Sequence, residues 1–333
     1  MPTPLFLRMV ARVLPLRIDD ACDSLVVSPA TLTAPKAMSS GTGTGRRRGL
    51  KSAVIIASCL AGFSTLLTAH DFWLIPDAFA VTPGGRISLR GQTSSLFPSS
   101  LSAVTPDRIV AARVVTANSA VTVQGVSVLG SSLRLTHPVS AGGQHVVGVQ
   151  LAPRSVRESP ASFRRYLDLE GAPEARLRYE REGLLPSAGG DSITRRYAKY
   201  AKTVVEVGRG PRAFQRVLDH PLEFVPLSDP SALRAGDTLR VRLVLLGKPV
   251  PAAQLHAGSV PSGATALSDT AAARRAAARD AKSVTDANGV AFVVVTQPGI
   301  WNIRTLQIVP ATKGSGADWD VHWATLVFSV ARR

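Results

Sequence analysis

"TLRVRLVLLGKPV", Thr238–Val250, decides the fold. Leu239, Val241 and Leu243 alternate with Arg240, Arg242 and Val244. That period of two puts one row on each face of a β-strand. Gly247-Lys248-Pro249 then reads as a hairpin turn. Outward from it, "RAGDTLRVRL" (234–243) has a counterpart in "PGGRISLRG" (83–91): a glycine turn, then arginine alternating with aliphatic residues. Short alternating runs recur on both sides. They are "RIVAARVVTA" (108–117), "VTVQGVSVL" (121–129), "SLRLTHP" (132–138) and "HVVGVQL" (145–151), then "LEFVPL" (222–227), "AAQLHAG" (252–258), "GVAFVVVT" (289–296), "GIWNIRTLQIV" (299–309) and "VHWATLVFSV" (321–330). Strands at this spacing, punctuated by Gly, Pro, Asn and Ser, predict β-sandwiches.

The reading is mainly β: two immunoglobulin-like sandwich domains, 70–155 and 209–333, with a short helical module at 156–208 between them. "ASFRRYLDLEG" spaces Phe163, Tyr166, Leu167 and Glu170 as on a helix and stops at Gly171. "PEARLRYEREGLL" is read as helical too, and so is "DSITRRYAKYAKTVVEVG", with Ile193, Tyr197, Tyr200 and Ala201 on one face. An Ala/Arg-rich insert at 259–282 interrupts the second sandwich as a surface loop or short exposed helix.

Residues 1–69 are set aside as a leader. Arg46-Arg47-Arg48 and Lys51 precede "SAVIIASCLAGFSTLLTA", eighteen uncharged residues ending in Thr68-Ala69. A basic start, an apolar run and small residues at its end make an export signal, and the run is marginal for a membrane span. Cleavage after Ala69 would make His70 the first residue of a periplasmic or secreted protein. The competing site is Cys59 in "IASC", which would be lipidated and would anchor the chain to a membrane. Met38, just before a Ser/Gly/Thr stretch, is a plausible true start. Cys22 and Cys59 both precede His70, so a chain beginning there has neither disulfide nor thiolate metal site.

The 333 residues carry a formal charge of +16, and the part from His70 onward keeps 31 Lys/Arg against 20 Asp/Glu. The basic residues are scattered except at Arg274, Arg275 and Arg279. Aromatics make up 5% and do not interleave with them, so nucleic-acid binding is not expected. No GxSxG, HExxH or phosphate-binding glycine loop is present, and no enzyme activity is expected.

"AHDFWLIP" (69–76) opens a series of ordered blocks: "FRRYLDLEG" (163–171), "RRYAKYAK" (195–202), "LEFVPLSDPSALRAGDTLRVRLVLLGKPVPAAQL" (222–255), "TDANGVAFVVVTQPGIWNIRTL" (285–306) and "DWDVHWATLVFSV" (318–330). Together, over about 70–333, they resemble a bacterial family of periplasmic proteins with a domain of unknown function, described as a component of ABC-type cobalt/nickel transport. The resemblance implies export, a β-sandwich fold and a link to nickel or cobalt uptake through a membrane metal-transport complex. The chain departs from the family pattern at 259–282, where the insert is longer and more basic.

A His70 freed at its amine offers two nitrogens, α-amine and imidazole, which close a six-membered chelate on one metal ion. Such a pair suits nickel, copper or zinc. Asp71 is adjacent, and His322, at the start of the last strand beside Trp319 and Trp323, is the expected partner. His137, His145, His220 and His256 have no metal-motif spacing among them. Phe72 and Trp73 are read first as core anchors, with ligand stacking as the alternative. Tyr166, Glu170, Arg195, Arg196, Tyr197, Tyr200 and Lys202 form a polar-aromatic set, either a ligand or partner surface or a sealed interface. Asp318 and Asp320 flank Trp319 on a loop and are weighed as a carboxylate pair, a weak enzyme signal.

The leading expectation is an exported, non-enzymatic metal-binding or metal-delivery accessory protein. Two alternatives stay open: a carbohydrate- or protein-binding surface module, and a copper enzyme with an N-terminal histidine brace, which requires a second histidine beside His70.

Overall fold

The computed structural model describes residues 70–170, 172–187, 189–263 and 280–332. Residues 1–69, expected to be a leader and including Cys22, Met38 and Cys59, and the middle of the Ala/Arg-rich insert lie outside the described residues. The strands, in chain order, are β1 (Asp71–Pro76), β2 (Ala80–Val81), β3 (Arg86–Ser94), β4 (Ile109–Val115), β5 (Ala120–Thr122), β6 (Gly125–Leu129), β7 (Ser132–Pro138), β8 (Gly143–Leu151) and β9 (Arg154–Glu158). Helices α1 (Pro160–Leu169) and α2 (Pro173–Arg181) follow, then β10 (Ile193–Val207). The second half contributes β11 (Leu222–Pro226), β12 (Thr238–Leu245), β13 (Lys248–Pro249), β14 (Gln254–Val260), β15 (Ala281–Val284), β16 (Val290–Val294), β17 (Gly299–Pro310) and β18 (Trp319–Val330).

The fold is mainly β, as the alternation predicts. The two sandwiches share a sheet. A ten-stranded sheet runs β15-β14-β17-β18-β10-β8-β4-β5, with β2 and β9 also paired to β10. Its halves meet where β10 and β18 pair in parallel, from Arg195↔Trp319 to Thr203↔Val327. A four-stranded sheet, β1-β3-β7-β6, lies on one face, and another, β11-β12-β13 with β16, lies on the opposite face.

Parity decides what each layer buries. On β12, Leu239, Val241 and Leu243 are fully buried and pack with Leu255, Ile303, Leu326 and Phe328 of the central sheet. Truncating Leu243 to alanine there would cost about 2–5 kcal/mol. Leu246 and Gly247 turn the chain into β13 with φ of 50° and 76°, both left-handed, as a two-residue hairpin loop requires. On the other face, Phe72, Leu74, Ile87, Leu89, Leu133 and Leu135 pack on Val114, Val147, Val149, Ala201 and Val205.

The helical module is shorter than the sequence pattern suggests. Ser159 caps α1 by accepting from Ser162 N at 3.2 Å, with Pro160 in the first turn. Phe163, Tyr166 and Leu167 then bury against Tyr179, Ile308, Trp319 and Trp323. Residues 193–207, expected as a helix, form instead a fifteen-residue strand at the centre of the sheet. Its last five residues, Thr203-Val204-Val205-Glu206-Val207, are mostly β-branched, which disfavours a helix and suits a strand buried on both faces.

Candidate functional site

Strand β1 is wedged between layers. Its even residues Phe72 and Leu74 enter the first sandwich core. Its odd residues Trp73 and Ile75 pack on Val260, Ile300 and Val327 of the shared sheet. Thr325 Oγ1 donates to the Phe72 carbonyl at 2.7 Å and pins the start of β1 to β18. By the same parity Asp71 faces β17, where Arg304 Nη1 lies 3.3 Å from its Oδ2. Arg304 also holds Asp280, at 3.3 Å. Asp71 Oδ1 is buried with no hydrogen-bond partner.

His70 stands at the mouth of this arrangement, half-buried. Lys199 of β10 donates its ammonium to the His70 carbonyl. Burial and the Lys199 charge push the His70 imidazole below its ordinary pKa, against the pull of Asp71. The imidazole is therefore held neutral, the form that ligates metals. Burial raises the Asp71 carboxyl, opposed by Arg304, Lys199 and His70. Burial also brings Lys199 down to about 8; Asp71 and Glu170 oppose that shift, and Arg108 and Arg154 add to it.

Around Lys199 the wall is aromatic and cationic. Tyr197 lies two residues before it on the same face, with Lys199 Nζ 5.7 Å and the Arg195 guanidinium 5.9 Å from its ring centre. Arg195 also lies 3.8 Å over the Tyr166 ring and pairs with Glu158 at 2.7 Å. The indole Nε1 of buried Trp323, the register partner of Lys199, faces the Tyr166 hydroxyl, and the two groups have no other hydrogen-bond partner. Burial pushes that hydroxyl's pKa up. Glu170, the residue after α1, contributes negative charge toward Lys199 and Arg304.

The sequence-predicted residues therefore divide. His70, Asp71, Tyr166, Glu170, Arg195 and Tyr197 gather on one face of the central sheet. His322 does not join them. It shares parity with Ala324, Leu326 and Phe328, which line the core on the opposite face. There Tyr200 OH lies 3.0 Å from His322 Nδ1, and the Tyr200 ring is 5.7 Å from that of His220. Lys202 is on that face too, fully buried, donating to Glu223 Oε1 at 2.6 Å and to the Arg216 carbonyl at 2.9 Å. Trp73 is a wholly buried core residue packed edge-on against Phe97 at 5.3 Å, with no room for ligand stacking.

Asp318 and Asp320 are committed elsewhere: Asp318 Oδ2 accepts from Thr194 N at 2.6 Å, and Asp320 takes a bidentate bond from Arg196 at 2.7 and 2.9 Å. Among the described residues no three His, Cys, Asp or Glu side chains cluster as a metal site.

Sequence reasoning missed Lys199 and Arg304, and it ranked His256 below His322. His256 pairs in register with Arg304, so it shares the face of Asp71. Its Nε2 is buried and unpartnered, and burial with Arg304 and Lys282 brings it to about 4. Reading 193–207 as a strand would have put Arg195, Tyr197 and Lys199 in one row.

The profile of a family described as "Domain of unknown function (DUF4198)" matches residues 67–309. No curated protein matches the chain. Among solved structures it is similar to the D0-D1 domain of intimin, at 13% identity and a TM-score of 0.18, over 77% of this chain and 96% of that one. It is also similar to the Yersinia pseudotuberculosis adhesin InvE, at 14% identity and 0.19, over 78% of this chain and 58% of that one. A third is the trypsin-activated alpha-2-macroglobulin from Escherichia coli, at 11% identity and 0.21, over 78% of this chain and 15% of that one. At scores this low no residue role is carried over from any of them.

Proposed function

We propose that this chain, which belongs to the DUF4198 family of domains of unknown function, is an exported, non-enzymatic metal-binding accessory protein whose main ligand is His70. Cleavage after Ala69 frees the amine, and amine and imidazole then chelate one nickel or cobalt ion for uptake. The observation that carries this reading is the fixing of His70 at the start of a buried strand, its imidazole neutral and half-exposed. A neutral imidazole needs no proton displaced before it binds a metal. Asp71 Oδ1 and His256 Nε2 are unsatisfied on the same face, but they do not close with His70 into a three-ligand cluster, so the remaining coordination positions are open. His322, behind the sheet, has no part in it. The test is metal titration of protein whose first residue is His70, set against protein carrying Ala69. The cleaved form should bind Ni²⁺ far more tightly, and equal affinity would reject the reading.

A second reading, a partner-binding module, is favoured by one surface. Val110, Val126, Val128 and Leu129 are exposed along the outer strands of the first sandwich. A hollow of about 410 Å³ runs beside Ile109, Val110, Val123 and Val126. Edge strands with exposed apolar residues are templates for strand addition. Val128→Lys, which should abolish capture of such a partner and leave metal affinity unchanged, separates this role from the first.

A further inference from the structure

Three cations crowd the approach to His70. Lys199 projects from β10 on the site's face, and its hydrogen-bond partner is the His70 carbonyl. Arg154 sits on β9 in register with Tyr197, so it shares that face. Arg108, just before β4, is anchored by its Nη2 donating to the Ala152 carbonyl at 2.8 Å, while its Nε is buried without a partner. The three repel one another. Among the described residues none of them has a carboxylate within ion-pair distance, whereas neighbouring Arg195 and Arg304 are each paired. Two carboxylates bear on Lys199 from a distance. Asp71 is held by Arg304, and Glu170 also faces Arg304. Trp323, at the register position of Lys199, turns its N–H to the Tyr166 hydroxyl, so the three cations are the donors left to the site.

Like charges held together favour an anion where the nearby carboxylates, Asp71 and Glu170 toward Lys199 and Asp107 toward Arg108, stay outside ion-pair distance. Guanidinium forks suit carboxylate oxygens. The same charges make a bare divalent ion a poorer fit than an anionic chelate, although the amine and imidazole of His70 still chelate it. We infer that Lys199, Arg108 and Arg154 form an anion subsite beside His70, and that the cargo is an anionic metal–carboxylate chelate rather than a bare aquo-ion. The inference rests on the reading of His70 as a metal ligand. In it, His70 reaches the metal through an open coordination position while the three cations hold carboxylates of the chelator.

The experiment is calorimetric titration of the full exported chain, starting at His70, with nickel chloride, with citrate, and with preformed nickel–citrate, each followed by native mass spectrometry. The expected result is a complex holding nickel and citrate together. Arg154→Met, an exposed position that should not disturb folding, should weaken nickel–citrate binding about tenfold while bare Ni²⁺ binds no more weakly than before, since one repelling charge is gone. Lys199→Met, checked for folding by its melting curve, should weaken it further. Nickel bound without citrate, with citrate acting only as a competitor for the ion, overturns the chelate inference and leaves the His70 reading standing. Citrate bound with no nickel in either form overturns the His70 reading and the chelate inference together.

Discussion

Replacing Arg304 by methionine tests the geometry that positions His70. Arg304 lies between Asp71 and Asp280, with side-chain exposures of 25%, 4% and 15%. Breaking a buried pair by removing one partner costs about 3–5 kcal/mol, because the other charge is left without compensation. Arg304 is partly hydrated, and Asp280 can turn to water, so the expected loss is about 2–3 kcal/mol at pH 7. For a folded unit of this size, that is a fall in Tm of roughly 4–12 °C.

The loss has a pH signature. The folded-state pKa of Asp71 already lies above its unfolded value because of burial. Such a group binds its proton more tightly when folded, so its penalty is absent below the unfolded pKa. The penalty grows as pH rises and is complete above the folded pKa. Without Arg304 that pKa rises further, so Arg304→Met should be nearly as stable as the wild type at about pH 3.5–4, the ordinary range of an aspartate carboxyl, and fall behind it toward pH 7. Asp71→Leu in the Arg304→Met background should recover more than half the loss. Urea unfolding at both pH values measures all four corners of the cycle. A loss below about 0.5 kcal/mol, or one independent of pH, would refute the burial argument.

Glu223→Ala should cost about 3–5 kcal/mol in the same assay, since Lys202 would be left charged and fully buried, whereas Lys202→Met with Glu223→Leu should be close to neutral. His220 is buried neutral, with its pKa brought down to about 3 by burial and by the Lys202 and Arg113 charges. A depressed histidine contributes stability that is present above its unfolded pKa of 6.5 and is lost as pH falls toward about 3. His220→Leu should therefore flatten the acid limb of the stability profile between those values, and an unchanged limb would contradict the assignment. His322→Phe should leave nickel affinity unchanged and cost about 1 kcal/mol of stability through the lost bond to Tyr200. A drop in affinity would show that His322 reaches the metal after all.

Much of the architecture is legible in local pattern. Leu239, Val241 and Leu243 declare a strand by alternation, and Phe163, Tyr166 and Leu167 declare a helix by their spacing. The central strand was obscured because Ile193, Tyr197, Tyr200 and Ala201 also satisfy helical spacing, and periodicity cannot separate the two when both faces are buried. That one ambiguity misplaced half the site. Read as a helix, the segment groups Tyr197 with Tyr200; as a strand it puts them on opposite faces and brings Lys199 beside His70. Arg304 and His256 carry no local signal, because their role comes from a register between β14 and β17 that crosses a long insert. The tie between His70 and the sheet was legible only as a chemical possibility at a cleavage site.

The central claim concerns the amine of His70. Nickel titration of two proteins, one beginning at His70 and one retaining Ala69, tests it directly, with the exported protein's intact mass fixing which form the cell makes. The account predicts tight one-to-one binding by the form beginning at His70 and a loss of at least about a hundredfold when Ala69 blocks the amine, as expected when a chelate ring is opened. Equal affinities would contradict it.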